Sequence, residues 1–228
     1  MQPYFLPYLG YFQLVHAVDA FVIYDNIEFS KGGWVQRNRI LLNGTDSLFS
    51  LPIRKDSDFL DIRDRRLADT FPVERGKLLR RIDAAYHRAP HYAQTMPLIE
   101  TCVMYESDNL FEFIRHSVQL VSDHLGITTR FVVSSTLPTD RHLKGQDRVV
   151  ATCRDMGCRT YVNAINGRTL YDRPTFEAHG IDLKFIQMHP VEYPQFGHPF
   201  IPNLSIVDVL MFNPLARVRE LLNAYELV

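Results

Sequence analysis

Short polar side chains that follow apolar runs are the first places to look for chemistry in this sequence. Ala20-Phe21-Val22-Ile23-Tyr24 ends in Asp25-Asn26, the run from Thr129 to Val133 ends in Ser134-Ser135, and Thr160 to Val162 ends in Asn163 with Gly167 nearby. Leu183 to Ile186 ends in Gln187. An open parallel sheet holds its ligands outside the carboxyl ends of its strands, so these groups are expected along one rim. Each also has a bland reading, because Asp, Ser and Asn favour turns wherever a strand stops. Their recurrence is what marks the rim as a candidate site.

Three further groups could take part. Lys31-Gly32-Gly33-Trp34-Val35-Gln36-Arg37-Asn38-Arg39 combines the only Trp with closely spaced cations. Its glycines allow close backbone approach, Trp34 can stack on a sugar or ring, and an Arg fork at 37 or 39 can grip a carboxylate or phosphate. The structural alternative is a hairpin lead-in with a half-buried Trp. Lys144-Gly145 precedes a helical pattern, where backbone N–H groups and the Lys side chain can receive an anion. His189-Pro190 and His198-Pro199 bracket an aromatic loop, and His189, His198 and Asp25 are the candidates for proton transfer. Surface or core histidines are the competing reading.

Composition removes whole classes of function. A formal net charge of -1 over 228 residues offers no positive field for nucleic acid or anionic lipid. Cys102, Cys153 and Cys158 are too few for a disulfide framework and lack zinc-site partners, which points to reduced thiols, no metal and a cytoplasmic location. The start of the chain lacks a basic n-region, and no apolar run reaches the ~18 residues of a membrane span. Neither the phosphate loop G-x-x-x-x-G-K-[ST] nor the dinucleotide fingerprint G-x-G-x-x-G occurs, nor do the metal-binding His-x3-His pair and the nucleophile elbow G-x-S-x-G. No cofactor is therefore expected.

The elements that must position these residues follow from hydrophobic periodicity. A helix is expected from Leu9 to Ala17, then a strand over residues 20 to 24 buried on both faces. Asn43-Gly44 closes a hairpin within residues 38–54. Helical spacing runs from Val73 to Tyr86 and from Met96 to Leu125, with Gly126 as a C-cap. Strand 129–134, helix 146–156, strand 160–163, helix 169–178 and strand 183–187 then alternate. That alternation predicts an α/β, doubly wound, mainly parallel, Rossmann-like sheet in one domain, 1–228, with the hairpin and the helical segment 73–125 inserted. Helices at 205–212 and 214–225 close the chain, the first with Ser205 as N-cap and Asp208 in a capping-box-like position.

Gln2-Pro3-Tyr4-Phe5-Leu6-Pro7-Tyr8-Leu9-Gly10-Tyr11-Phe12-Gln13-Leu14, followed by Asp19 to Asp25, resembles the opening of the WbqC-like family. The likeness continues through Trp34, Arg37 to Ile40, Tyr86 to Pro90, Ser134-Ser135, Tyr161, Gly167 to Asp172 and Leu204 to Leu210. The resemblance implies a place in O-antigen or other surface polysaccharide biosynthesis. The expected activity is acyl or aminoacyl (glycyl) transfer to a small-molecule substrate, a nucleotide-linked amino sugar. The alternative is a non-catalytic small-molecule-binding protein of the same gene clusters. Gln2, Tyr4, Tyr8, Tyr11, Asp25, Trp34, Arg37, Asn38, Lys144 and Asn163 are expected to bind substrate, with Ser205 and Asp208 closing the site. Partners of other kinds, nucleic acid and membrane, are not expected. The family also carries a short strand before the Gln-Pro-Tyr, so this chain is expected to leave an open edge beside residues 21–24. By order of elements, Pro7-x-x-Gly10-Tyr11 entering a helix is similar to the layout of the HIGH-motif nucleotidyltransferases. Tyr8 and Tyr11 stand where those enzymes place histidines, and a phenol with a pKa near ~10 is no simple replacement.

Overall fold

The computed structural model describes residues 1–228. Helix α1 (Leu9–His16) is buried over all its residues except His16, as an apolar helix inside a core must be. It leads into β1 (Ala20–Ile23), which pairs in parallel with β4 (Arg130–Val133). The hairpin β2 (Arg37–Leu42) and β3 (Thr45–Ser50) closes through Asn43 and Gly44, at φ 52° and 75°. Both central residues of this primed turn carry positive φ, which Asn and Gly tolerate and which matches strand twist.

The helical insertion is α2 (Phe71–Tyr86), α3 (Tyr92–Met104) and α4 (Leu110–Leu125). The continuous helix expected from 96 to 125 is broken at Tyr105–Asn109. There the side chain of Asn109 accepts from Glu112 N–H and starts a new helix. Gly126 ends α4 in the left-handed region, at φ 77°. Then come α5 (Gly145–Asp155), β5 (Thr160–Ala164), α6 (Arg173–Glu177) and β6 (Asp182–Met188). The helix expected over 169–178 shrinks to α6, because Asp172 caps it and Pro174 sits in its first turn after a 3-10 stretch over Ile165–Leu170. Helices α7 (Ile206–Phe212) and α8 (Leu215–Leu221) close the core. The final helix stops early, and Tyr225–Leu227 forms an antiparallel strand, β7, on β6.

The result is mixed α/β, with small parallel and antiparallel sheets in place of one continuous sheet. β1 pairs with β4, β5 pairs in parallel with β6, and β1 and β5 exchange no hydrogen bonds. The interior divides along the same line. A large cluster that includes Phe5, Phe12, Tyr86 and Phe113 lies under α1 and the helical insertion, and a small one of Val149, Val150, Cys153, Phe176, Ile181, Leu183 and Phe185 lies under β5 and β6. The edge expected to stand open beside residues 21–24 is met only by Met1, whose amine donates to Val22 O and whose carbonyl accepts from Tyr24 N–H. No helix is long and apolar enough to cross a membrane.

Candidate functional site at the carboxyl rim

The carboxyl ends of β1 and β4 are clasped together. Asp25 Oδ1 accepts from Ser135 N–H at 2.9 Å and from Ser134 Oγ at 2.9 Å, while Ser134 Oγ accepts Asp25 N–H at 3.2 Å. Asp25 is buried, so its oxygen serves to lock the rim. The next residue, Asn26, faces an open cleft of about 530 Å3 whose lining includes Gln2, Tyr24, Asn26, Lys144, Arg148 and Tyr171.

One wall of this cleft is cationic. Lys144 is the N-cap residue of α5 and Arg148 lies one turn further on the same face. The Arg148 guanidinium reaches Asn26 Oδ1 at 2.5 Å and Asn26 O at 3.2 Å, and it lies over the Tyr24 ring at 5.2 Å. Arg141 adds a third cation. None of Arg141, Lys144 and Arg148 forms an ion pair with a carboxylate. The α5 N-terminus, with Lys144 and Gly145 in the lining, adds the positive end of a helix dipole. Glu28 and Asp61, joined by an antiparallel bridge, also line the cleft.

The opening tyrosines border the cleft through Gln2. Tyr11 Oη donates to Gln2 O at 3.2 Å, and Tyr4 Oη lies 3.5 Å from Gln2 Oε1. Burial raises the pKa of Tyr4, Tyr8 and Tyr11, so these phenols stay protonated, and those of Tyr4 and Tyr11 donate to Gln2. Gly10 makes their approach possible, since a Cβ there would meet Met188 Sδ at 2.3 Å and the Tyr8 ring at 2.5 Å.

Asn38 and Ser205 do their work behind the rim. Leu6 is buried at a positive φ of 44°, an unusual conformation for a bulky residue. Its carbonyl accepts from Asn38 Nδ2 at 2.7 Å and from Ser205 Oγ at 2.7 Å, which over-determines the bend between Tyr4 and Tyr8. Ser205 also caps α7 by accepting from Val207 N–H, as its N-cap position implied. Ser205→Ala should therefore cost about 1–2 kcal/mol. That corresponds to a fall in Tm of roughly 2–8 °C by thermal denaturation.

Asp208 does not complete a capping box. It is wholly buried and accepts from Tyr86 Oη, Tyr193 Oη and Gln195 Nε2 at 2.8, 2.7 and 2.7 Å. The other expected site residues lie apart from the cleft. Trp34 is exposed, with the Arg37 and Arg39 guanidinium groups 5.5 and 5.6 Å from its ring, and Arg37 donates to Gly32 O. His189 and His198 are exposed on the loop after β6. Asn163 is turned inward, its Oδ1 accepting from Ala164 N–H. Of the expected residues, Gln2 and Lys144 line the cleft, Tyr4 and Tyr11 meet it only through Gln2, Asp25 locks the strand ends, and Tyr8 is not in the lining. Asn26, expected at the rim with Asp25, lines the cleft as well, and the structure adds Arg148, Arg141, Glu28 and Asp61, of which only Arg148 left a trace in the sequence, through its spacing from Lys144 by one helical turn. No group of three or more His, Cys, Asp or Glu side chains is placed to hold a metal ion.

A mixed α/β frame with a polar cleft at the strand ends is the class that fold and site define. The chain belongs to the WbqC-like protein family, whose model matches residues 2–220. A Mycobacterium tuberculosis (strain ATCC 25618 / H37Rv) protein described as uncharacterized protein Rv1507c is 26% identical over 217 residues, covering 93% of this chain and 91% of that one. No solved structure matches.

Proposed function

We propose that this protein transfers an acyl or aminoacyl group, glycyl in the simplest case, to the amine of a nucleotide-linked amino sugar used in surface polysaccharide biosynthesis. The observation that carries this reading is the polarity of the cleft. Arg148, Lys144 and Arg141 line it without carboxylate partners, and Glu28 and Asp61 line the same cleft. A nucleotide sugar supplies the matching groups, a diphosphate for the cations and an amine with hydroxyls for the carboxylates.

In the transfer step the sugar amine attacks the acyl carbonyl carbon, and the carbonyl-to-leaving-group bond breaks with its electron pair going to the leaving group. The amine sheds one proton, and Glu28 and Asp61 are the carboxylates on hand to receive it. The cysteines are unsuited to a covalent relay. Burial raises the thiol pKa of Cys102 and Cys153 to about 12, leaving almost no thiolate near neutral pH. Burial raises the Cys158 thiol as well, which favours direct attack within a ternary complex. His189 and His198 lie on an exposed loop away from the cleft and have no place in this scheme.

Isothermal titration with a nucleoside diphosphate amino sugar, followed by mass spectrometry after adding an activated glycyl donor, tests the proposal. Binding with a product heavier by one glycyl residue is the expected result. Binding without product favours the non-catalytic alternative, and no binding overturns both.

A further inference from the structure

Most of the lining of the polar cleft comes from two groups of elements that differ in chemistry. Asn26, Ile27 and Glu28 follow β1, and Asp61 bridges to Glu28. Arg141, Leu143, Lys144, Arg148 and Val149 belong to α5 and its lead-in, and Tyr171 enters from the segment before α6. The transfer proposed above uses the cations and the carboxylates and leaves Tyr171 without a part.

Tyr171 is tied to the cationic element. The N–H of the next residue, Asp172, donates to Gln146 Oε1 in the first turn of α5, between Lys144 and Arg148 in the chain. The ring is also fixed from the small apolar cluster under β5 and β6. Tyr161 Oη donates to Tyr171 Oη at 3.4 Å, and the Tyr161 and Phe176 rings, stacked on each other, meet the Tyr171 ring edge to face at centroid distances of 5.7 and 5.8 Å. Tyr171 is nevertheless only half-buried, and it lines the cleft. An aromatic surface held in one pose beside cations meets both needs of a nucleoside diphosphate, a flat base to stack and a charged chain to neutralise. Tyr24, the other aromatic side chain in the lining, already has the Arg148 guanidinium over its ring, 5.2 Å from the centroid. Leu143 and Val149, next to Lys144 and Arg148 in the chain, add apolar surface of the kind a base covers.

Resting on the nucleotide-sugar reading of the same cleft, we infer that Tyr171 is the stacking platform for the nucleobase, with the diphosphate on Arg148 and Lys144 and the amino sugar left to Glu28 and Asp61. Stacking then separates a nucleotide-linked sugar from a sugar phosphate that carries no base. Every base has a π-face, so the ring selects for the presence of a base more than for its identity.

Titration calorimetry with uridine diphosphate and with pyrophosphate, on the native chain and on Tyr171→Ala and Tyr171→Phe, tests this. The native chain should bind uridine diphosphate roughly 5- to 100-fold more tightly than pyrophosphate, the gain that stacking one base supplies. Tyr171→Ala should lose most of that gain while binding pyrophosphate as the native chain does, and Tyr171→Phe should keep it. Equal affinity of the native chain for the two probes, or an undiminished preference for uridine diphosphate in Tyr171→Ala, would overturn the inference while leaving the cleft a phosphate site. Equal weakening of both probes in Tyr171→Ala would overturn it too, by making Tyr171 a support of α5 and nothing more. A native chain that does not bind uridine diphosphate at all would bring down the nucleotide-sugar reading and the inference together.

Discussion

Replacing Arg148 by Ala is expected to weaken binding of a nucleoside diphosphate amino sugar by roughly 10- to 100-fold, measured as Kd by titration calorimetry. A charge-assisted hydrogen bond contributes about 1.5–3 kcal/mol, and each ~1.4 kcal/mol is a factor of ten. Arg148 has no carboxylate partner to neutralise it, and its contacts with Asn26 and the Tyr24 ring hold the guanidinium in a fixed pose. Little ordering entropy remains to be lost when an anion arrives. Arg148→Lys should recover only part of the affinity, because an ammonium cannot make the paired, planar contact. Affinity of the native chain should fall with added salt, and the fall should be shallower in the Ala variant. An unchanged Kd in Arg148→Ala would remove the cationic wall from the mechanism.

Asp208→Ala should be the most damaging substitution for stability, with an expected loss of about 3–5 kcal/mol by chemical denaturation. Three donors converge on this carboxylate, and truncation leaves the Tyr86 and Tyr193 hydroxyl donors without an acceptor and takes from Gln195 Nε2 the shorter of its two hydrogen bonds. Total stability is only about 5–15 kcal/mol for a typical chain, so the fraction lost is large. The same group gives a pH signature. Burial raises the pKa of Asp208 above 3.8, and the hydrogen bonds from Tyr193, Gln195 and Tyr86 only partly offset that rise. A carboxyl raised in the folded state contributes stability that is complete below its unfolded pKa and is lost as pH rises through the folded value. Asp208→Asn removes the titration, so its stability should change less with pH across that window than the native chain's does. Identical profiles for the two proteins would show that Asp208 does not titrate there.

The site divides in the same way between what the sequence carried and what it did not. The clasp at the ends of β1 and β4 was readable, because Asp25 and Ser134 each follow a compact apolar run and strand ends share a rim. Lys144 was readable as the residue before a helix. Asn38, Ser205 and Asp208 were visible as polar side chains in apolar company, but their role was not. Whether such a group meets a ligand or a backbone carbonyl depends on what packs against it from distant segments. Ser205 meets Leu6 O, 199 positions away, and no local pattern encodes that encounter. The contact of Arg148 has no local signal for the same reason, since its partner Asn26 lies 122 positions away.

By itself the sequence determined the order and kind of most elements, the hairpin turn at Asn43-Gly44 and the caps at Gly126 and Ser205. These depend on backbone preferences and periodicity within a few residues, which the local chain carries whatever the fold. Tertiary structure alone decided the late strand on β6, the division of the sheet beside Met1 and the pairing of Arg148 with Asn26. Each of those depends on free energy shared between segments far apart in the chain, where packing and the satisfaction of buried polar groups outweigh local propensity.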